Sequence, residues 1–259
     1  MKVLVVYAHP KPESFCHSVL ERFTAGLNEA GDSVEVVDLY AIRFNPVHET
    51  KDDPSWVTPE TPLHILERMD LPKLVLDSCK NPIQRLMAKR WLRGKDLPAI
   101  AAGIHQAMRK DVLVQQRKVA WADALVFIAP IFFVGFPAIL KGWVERVWTL
   151  GFAFELSAAG WDGDVQGRIP LLKHQKALII STTLFDEKSY RETGIGDAMG
   201  RLMDDWCFRF PGIKDVEHVY FYAVHGADEA TLRGYLDRAY RLGRDFQVVS
   251  KQQSAEVSV

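Results

Sequence analysis

Five short stretches constrain this chain more than anything else in it. Val3 to Ala8, Val34 to Asp38, Ala124 to Ala129, Ala177 to Thr182 and Val216 to Val224 are rich in Val, Ile and Leu and mostly apolar on both faces. A strand that is greasy on both sides has to lie inside a sheet that is covered above and below. Between these stretches the apolar residues recur at helical spacing. Phe15, Val19, Phe23 and Leu27 follow the first and stop before Gly31, with Ser14 placed as an N-cap. Ile139, Leu140, Trp143 and Val147 follow the third; Ile195, Met199, Leu202, Met203 and Trp206 the fourth; Leu232, Tyr235, Leu236 and Ala239 the fifth. Strands that alternate with helices predict an α/β fold, a parallel sheet with helices on both faces.

One region breaks the alternation. From about Pro46 to Arg109 no strand is evident, and seven of the 13 prolines (46, 54, 59, 62, 72, 82 and 98) fall there. A structureless connection of that length is uncommon, so short helices are expected, chiefly around Ile83, Leu86, Met87 and Trp91. The 259 residues then form a single domain over 1–259 with an insertion at approximately 46–109 between the second and third strands. The C-terminal KQQSAEVSV is expected to fray.

Membrane and secretory readings fare poorly. The run from Ala124 to Leu140 holds 17 uncharged residues, but Pro130, Gly135 and Pro137 interrupt it, where a spanning helix wants about 20 continuous apolar residues. It reads as strand, loop and helix. The apolar part of MKVLVVYAHP is too brief for a signal-peptide core. Cys16, Cys79 and Cys207 show no paired spacing, which argues against a disulfide framework and a thiolate metal site and fits a reducing, cytoplasmic setting. A formal net charge of −1 gives no basic field calling for nucleic acid. The eight histidines are scattered; His17, His174 and His218 read as surface or structural, and no metal site is expected.

In an open parallel sheet, ligands sit beyond the carboxyl ends of the strands. The first such loop, HPKPESFCHS, lacks both GxGxxG and the Walker lysine motif, so a Rossmann or nucleotide-triphosphate site is disfavoured. It still delivers Ser14, Phe15 and Cys16 to a helix N-terminus, which favours a phosphate, with His9 and Ser14 as side-chain donors. A plain helix cap at Ser14 and a satisfied polar His9 remain the bland alternative. The third loop brings Pro130, Ile131, Phe132, Phe133 and Val134 ahead of Gly135; the aromatics suit a planar ring or simply fill core. The fourth supplies Thr182 and Thr183, and later Tyr190. Trp143 and Trp148 read as core or dimer interface.

The segments AHPKPESF, GFPAILKGWVERV, GFAF and STT fall in an order and spacing that resembles the NAD(P)H:quinone oxidoreductase family, flavodoxin-like flavoproteins that include the mammalian quinone reductases and bacterial modulators of drug activity. The resemblance covers most of the chain outside the insertion. It implies a doubly wound five-stranded parallel sheet of order 2-1-3-4-5, a homodimer, tightly held FAD (FMN in some relatives), NADPH or NADH as co-substrate, and ping-pong two-electron reduction of quinones. Carried over, His9, Ser14, Phe15 and Cys16 lie along the phosphate and ribityl chain; Pro130 to Val134 lie against the isoalloxazine; Thr182, Thr183, Leu184 and Phe185 meet its pyrimidine side; Arg233 lies near the adenosine half. Glu13 stands where relatives have a neutral residue, so phosphate contacts fall mainly to backbone N–H groups.

Tyr190 matches the family's active-site tyrosine, but the histidine that follows it there corresponds to Gly196, and the paired glycines after the threonines are Leu184 and Phe185. Tyr190 and backbone N–H groups are left to face charge developing on the flavin. Two tyrosines of the mammalian quinone pocket correspond to Phe154 and Leu156, which with Phe133 and Tyr190 imply a more apolar substrate pocket. Two rival readings stand beside the enzyme. One is an ancillary subunit of a potassium-efflux system, with the insertion as docking element; the other is a flavodoxin-type electron carrier. The insertion's KNPIQRLMAKRWLRGK carries six basic residues and no acid, which reads as a solvated helix face or as a dock for anionic membrane, a partner or a dinucleotide phosphate.

Overall fold

The computed structural model describes residues 1–49, 52, 56–107 and 109–247; the C-terminal KQQSAEVSV lies outside them. The chain opens with β1 (Lys2–Tyr7), α1 (Phe15–Glu29) and β2 (Ser33–Asp38). Helices α2 (Leu63–Arg68), α3 (Leu71–Asp77), α4 (Pro82–Leu92), α5 (Leu97–Gln106) and α6 (Lys110–Trp121) follow. Then come β3 (Ala124–Pro130), α7 (Ala138–Val147), β4 (Phe154–Leu156), α8 (Ala158–Trp161), β5 (Arg168–Pro170) and β6 (Lys176–Thr182). The chain closes with α9 (Glu187–Glu192), α10 (Ile195–Met199), a π-helical stretch Gly200–Arg209, β7 (Asp215–Phe221) and α11 (Glu229–Arg244).

Two compact units emerge, one of residues 1–45, 117–141 and 173 onward, the other of 46–116 and 142–172. The first holds a wholly parallel five-stranded sheet of order β2-β1-β3-β6-β7, the 2-1-3-4-5 arrangement in sheet-strand numbering. Every residue of β3 is buried, as a central strand requires. On one face Val3, Val5, Tyr7, Val126, Ile128, Leu178, Ile180, Val219 and Phe221 pack under α1 and α11. These two helices meet backbone to backbone at Gly26 and Gly243, where a Cβ on either would strike the other helix. The start of α1 is fixed by Ser14, whose Oγ accepts the His17 N–H at 3.2 Å. Its end is fixed by Gly31 in the left-handed region at φ 79°.

Among its described residues the second unit is helical apart from the antiparallel pair β4–β5. Its prolines punctuate the short helices. Asp70, Asn81 and Asp96 cap α3, α4 and α5, and each cap is followed by a proline in the first turn, where a missing N–H costs nothing. Val57, Leu66, Leu71, Ile100 and Ala101 form its apolar centre. Trp143 and Trp148 are buried core, edge to face at 5.1 Å, with the Trp143 indole N–H donating to Gln115.

Two expectations need correction. The last strand ends at Phe221 rather than Val224, because Ala223 adopts φ 52° and its N–H turns to Phe185 O. The periodic pattern after β6 does not continue as one α-helix: the wider π turn takes over at Gly200, so Met199, Met203 and Cys207 are buried while Leu202 and Trp206 face outward.

Candidate functional site

Neighbouring parallel strands end together, so the loops after β1, β3 and β6 gather at one edge of the first unit. Ala8 N–H bonds Ile128 O, and Ile131 N–H bonds Thr182 O at 2.9 Å, which ties the three chain exits to one another.

After β1 the polypeptide reaches the N-terminus of α1. His9 Nδ1 lies 3.0 Å from the Lys11 N and 3.1 Å from the Lys11 carbonyl oxygen, so the Lys11 backbone holds the ring. Burial draws the His9 pKa below its ordinary value, with the Lys11 carbonyl opposing. The Ser14 hydroxyl lies 3.4 Å from that of Tyr7. Glu13 is exposed and Phe15 half-buried, its ring 6.5 Å from Tyr235. Cys16 turns its side chain into the core, and burial pushes the thiol up to about 12 against the opposing contact with Thr182. It therefore offers a ligand its backbone N–H rather than its sulfur.

After β3 the chain folds into a tight hairpin. Phe132 and Gly135 exchange both backbone hydrogen bonds, at 3.0 and 3.2 Å. Between them Phe133 and Val134 take φ 45° and 58°. Two central residues with positive φ are the mark of a type I′ turn, usually made by Asn-Gly. A β-branched valine there is strained. The turn lifts Phe132, Phe133 and Val134 into solvent, Phe133 fully exposed, while Pro130 stays buried and Ile131 half-buried. The two phenylalanines therefore do not fill core.

After β6, Thr182 and Thr183 are buried, and the Thr183 hydroxyl donates to Phe185 O at 2.7 Å. Leu184 and Phe185 are exposed. Tyr190, in α9, is buried, with its ring 6.0 Å from Tyr220 and 5.5 Å from Tyr222. Burial raises its pKa, with a hydrogen bond to Thr183 opposing. Arg233 lies exposed on α11, paired with Glu229 at 2.6 Å. Phe154 and Leu156 belong to the second unit, half-buried on β4 opposite Pro170 and Arg168.

A polar network next to Tyr190 has a weaker signature in the sequence. Ser181 Oγ stands 2.8 Å from His218 Nε2; His218 Nδ1 stands 2.8 Å from Asp204 and 3.0 Å from the Tyr220 hydroxyl. The Tyr220 ring stacks on both His218 and Tyr222. His218 is thus structural in the sense of being satisfied, but it is not a surface residue. The signal lay in the parity of β7: His218, Tyr220 and Tyr222 share one side, while Val219 and Phe221 share the apolar one.

A doubly wound sheet of this order, with its chemistry-bearing loops on the carboxyl rim, defines a flavodoxin-like α/β protein. A family model described as Flavodoxin-like fold matches residues 1–243. The chain belongs to the NAD(P)H:quinone oxidoreductase family within that fold. It is 31% identical over 236 residues to ribosyldihydronicotinamide dehydrogenase [quinone] of Homo sapiens, covering 90% of this chain and 86% of the relative. Alignments with four other curated relatives span 60% to 74% of those proteins' lengths. Among solved structures it resembles the NAD(P)H:quinone oxidoreductase of Methanothermobacter marburgensis at 27% identity, with TM-score 0.65 over 95% of this chain and 99% of that one. An FMN-dependent NADH-azoreductase of Bacillus anthracis in complex with FMN, 15% identical with TM-score 0.60 over 95% and 98%, shares the fold.

The family implies a flavin, and the residues present fit one. At the start of α1, the Phe15 and Cys16 N–H groups precede the first intrahelical bonds, and His17 Nδ1 is buried without a hydrogen-bond partner. An oxygen-rich anionic tail suits the two free N–H groups. The exposed apolar tips of the two adjoining loops suit a flat ring system.

Proposed function

We propose that the protein is a flavin-dependent NAD(P)H:quinone oxidoreductase carrying out two-electron reduction of quinones or similar flat acceptors. The observation that carries this reading is the placement, on one rim, of an anion-ready helix start beside five exposed apolar residues, Phe132, Phe133, Val134, Leu184 and Phe185. A flavin held on this rim would supply the redox chemistry, two-electron hydride transfer between a reduced nicotinamide and the acceptor in a ping-pong cycle.

The chain's own part is to bind, orient and exclude water. The first turn of α1, with His9 and Ser14, holds the phosphate; Glu13, turned to solvent, leaves that work to neutral donors. The β3 hairpin and Ile131 cover the flat face of the ring, and Thr182, Thr183, Leu184 and Phe185 border its polar edge. Arg233 serves the adenosine half. Tyr190 holds a proton on its buried hydroxyl at neutral pH, since burial disfavours the phenolate. The Ser181–His218–Asp204–Tyr220 network adjoins Tyr190, whose ring lies 6.0 Å from that of Tyr220. FAD is the form the resemblance implies, FMN the alternative, and a homodimer in the cytoplasm completes the reading. Among the described residues no helix is long and apolar enough to cross a membrane.

Anaerobic stopped-flow mixing with NADPH and with NADH tests the proposal. The flavin absorbance is expected to bleach and then to recover on adding a quinone. A bound flavin that neither cofactor bleaches would exclude the enzyme and leave an electron carrier. Mass spectrometry of the released chromophore distinguishes FAD from FMN.

A further inference from the structure

Helix α4 is held to its unit from one side. Leu92 packs on the cluster around Leu66, Leu71 and Ile100. Trp91 lies over Gly103, where a Cβ would collide with the indole, and the Lys95 ammonium sits 5.1 Å from the centroid of the Trp91 ring. Away from Leu92 the helix is turned outward: Ile83, Leu86 and Met87 are 72%, 70% and 67% exposed. At i, i+3 and i+4 they form one apolar row.

This helix is set before anything reaches it. The Asn81 side chain accepts the Gln84 N–H at 2.9 Å, Gln84 Oε1 accepts the Lys80 N–H at 2.8 Å, and Pro82 opens the first turn. A preformed helix pays little ordering entropy on docking.

The charges within this stretch are of one sign. Lys80, Arg85, Lys89, Arg90, Arg93 and Lys95 are the six cations of a stretch without an acid, and among the described residues none of them pairs with a carboxylate. At about 100° per residue, Arg90 falls between Leu86 and Ile83, with Arg93 and Lys89 beside Leu86. Such long stems lie along an apolar surface while the heads stay in water.

We propose that this face of α4 docks the protein reversibly on a membrane surface rich in anionic lipid. A soluble phosphate or a nucleic acid would satisfy the cations and leave Ile83, Leu86 and Met87 in water. A second copy packed α4 to α4 would set cations against cations. A bilayer interface with anionic headgroups takes both, the apolar row at the acyl boundary and the cations at the phosphates. The proposal is independent of the redox reading and needs no spanning segment.

Sedimentation of the full chain with vesicles of phosphatidylcholine alone, and of phosphatidylcholine mixed with phosphatidylglycerol, tests it. Binding is expected only to the mixed vesicles and should weaken as salt is raised. The triple change Lys89→Glu, Arg90→Glu and Arg93→Glu should weaken it on the order of a hundredfold. The triple change Ile83→Ser, Leu86→Ser and Met87→Ser should weaken it roughly tenfold or more. Circular dichroism checks that each variant folds; if the serine variant does not, the charge variant carries the test alone. Absence of binding to mixed vesicles overturns the proposal, as does full binding by a folded serine variant. So does an α4-dependent dimer, seen by light scattering, without vesicle binding.

Discussion

The two units draw on different means for a stable interior. The sheet unit buries hydrocarbon: along β1, β3 and β6 nearly every side chain is apolar and inaccessible. The second unit, built from short helices, buries charge. Arg146, almost wholly inaccessible, donates from Nη2 to Asp52 and to Asp111, each at 2.9 Å, and from Nε to Asp52 at 3.2 Å. Arg109 adds bonds to Asp111 and Glu49 at 3.2 and 3.0 Å. Segments distant in sequence are thereby clamped where short helices offer little continuous apolar surface. The lesson is one of sensitivity. A hydrocarbon core responds to lost volume, whereas a buried charge network responds to lost partners and to protons.

The sharpest break in this contrast is Arg146→Ala. Removing the central cation leaves Asp52 buried without its bidentate partner, and the expected loss is about 3–5 kcal/mol of unfolding free energy, read from urea titration. A loss below about 1 kcal/mol would show the network to be as weak as a surface pair. Next comes Leu4→Ala in β1, where the removed side chain leaves a cavity among fully buried neighbours. About 2–5 kcal/mol should go, equally at pH 5 and pH 8, because no titrating group is involved.

A smaller effect separates the units by pH. Burial alone would raise the Asp52 pKa, but the Arg146 hydrogen bonds, the Glu49 N–H and the charges of Arg146 and Arg109 outweigh it, and the carboxyl titrates below its usual value. A carboxylate lowered in the folded state contributes its full stabilisation above the unfolded value, about 3.9, and loses it as pH falls through the lowered one. The stability gap between the native chain and Asp52→Asn should therefore hold steady from about pH 5 upward and shrink below about pH 4. A gap that widens in acid would reverse the assignment.

The same contrast explains what could be read from the sequence. Apolar strands announce themselves by composition, so a parallel sheet and the helical character of 46–109 were legible, while the strand order came only with the family resemblance; Ser14 was legible as a cap because capping is local chemistry. The Arg146–Asp52–Asp111 clamp was not, since its partners lie 94 residues apart in one case and nothing local marks them. Helix α6 and the pair β4–β5 had no strong periodicity. At the candidate site, apolar character alone favoured Phe132 and Phe133 as core, and the turn between Phe132 and Gly135 shows them in solvent instead. Cys16 was placed by its neighbours in the loop, while helical spacing turned its thiol inward.

That turn offers the finest test of where the sheet unit departs from its own economy. Its interior is relaxed hydrocarbon, but its rim holds Val134 at φ 58°, a conformation that costs an L-residue about 1–2 kcal/mol and a β-branched one more. Val134→Gly relieves the strain and adds the chain entropy that glycine loses on folding, so a net gain of about 0.5–1 kcal/mol is expected by thermal or urea unfolding. Val134→Asn, which tolerates the left-handed region, should gain less, and Val134→Ala, which keeps the backbone penalty, should gain least. If the strain is retained because the exposed side chain covers a flavin, each stabilised variant should hold that cofactor less tightly, measured by fluorescence as the flavin is released. A glycine variant that is less stable than the native chain would mean that Val134 makes contacts worth more than its strain, and the rim would then have to be read as packed rather than poised.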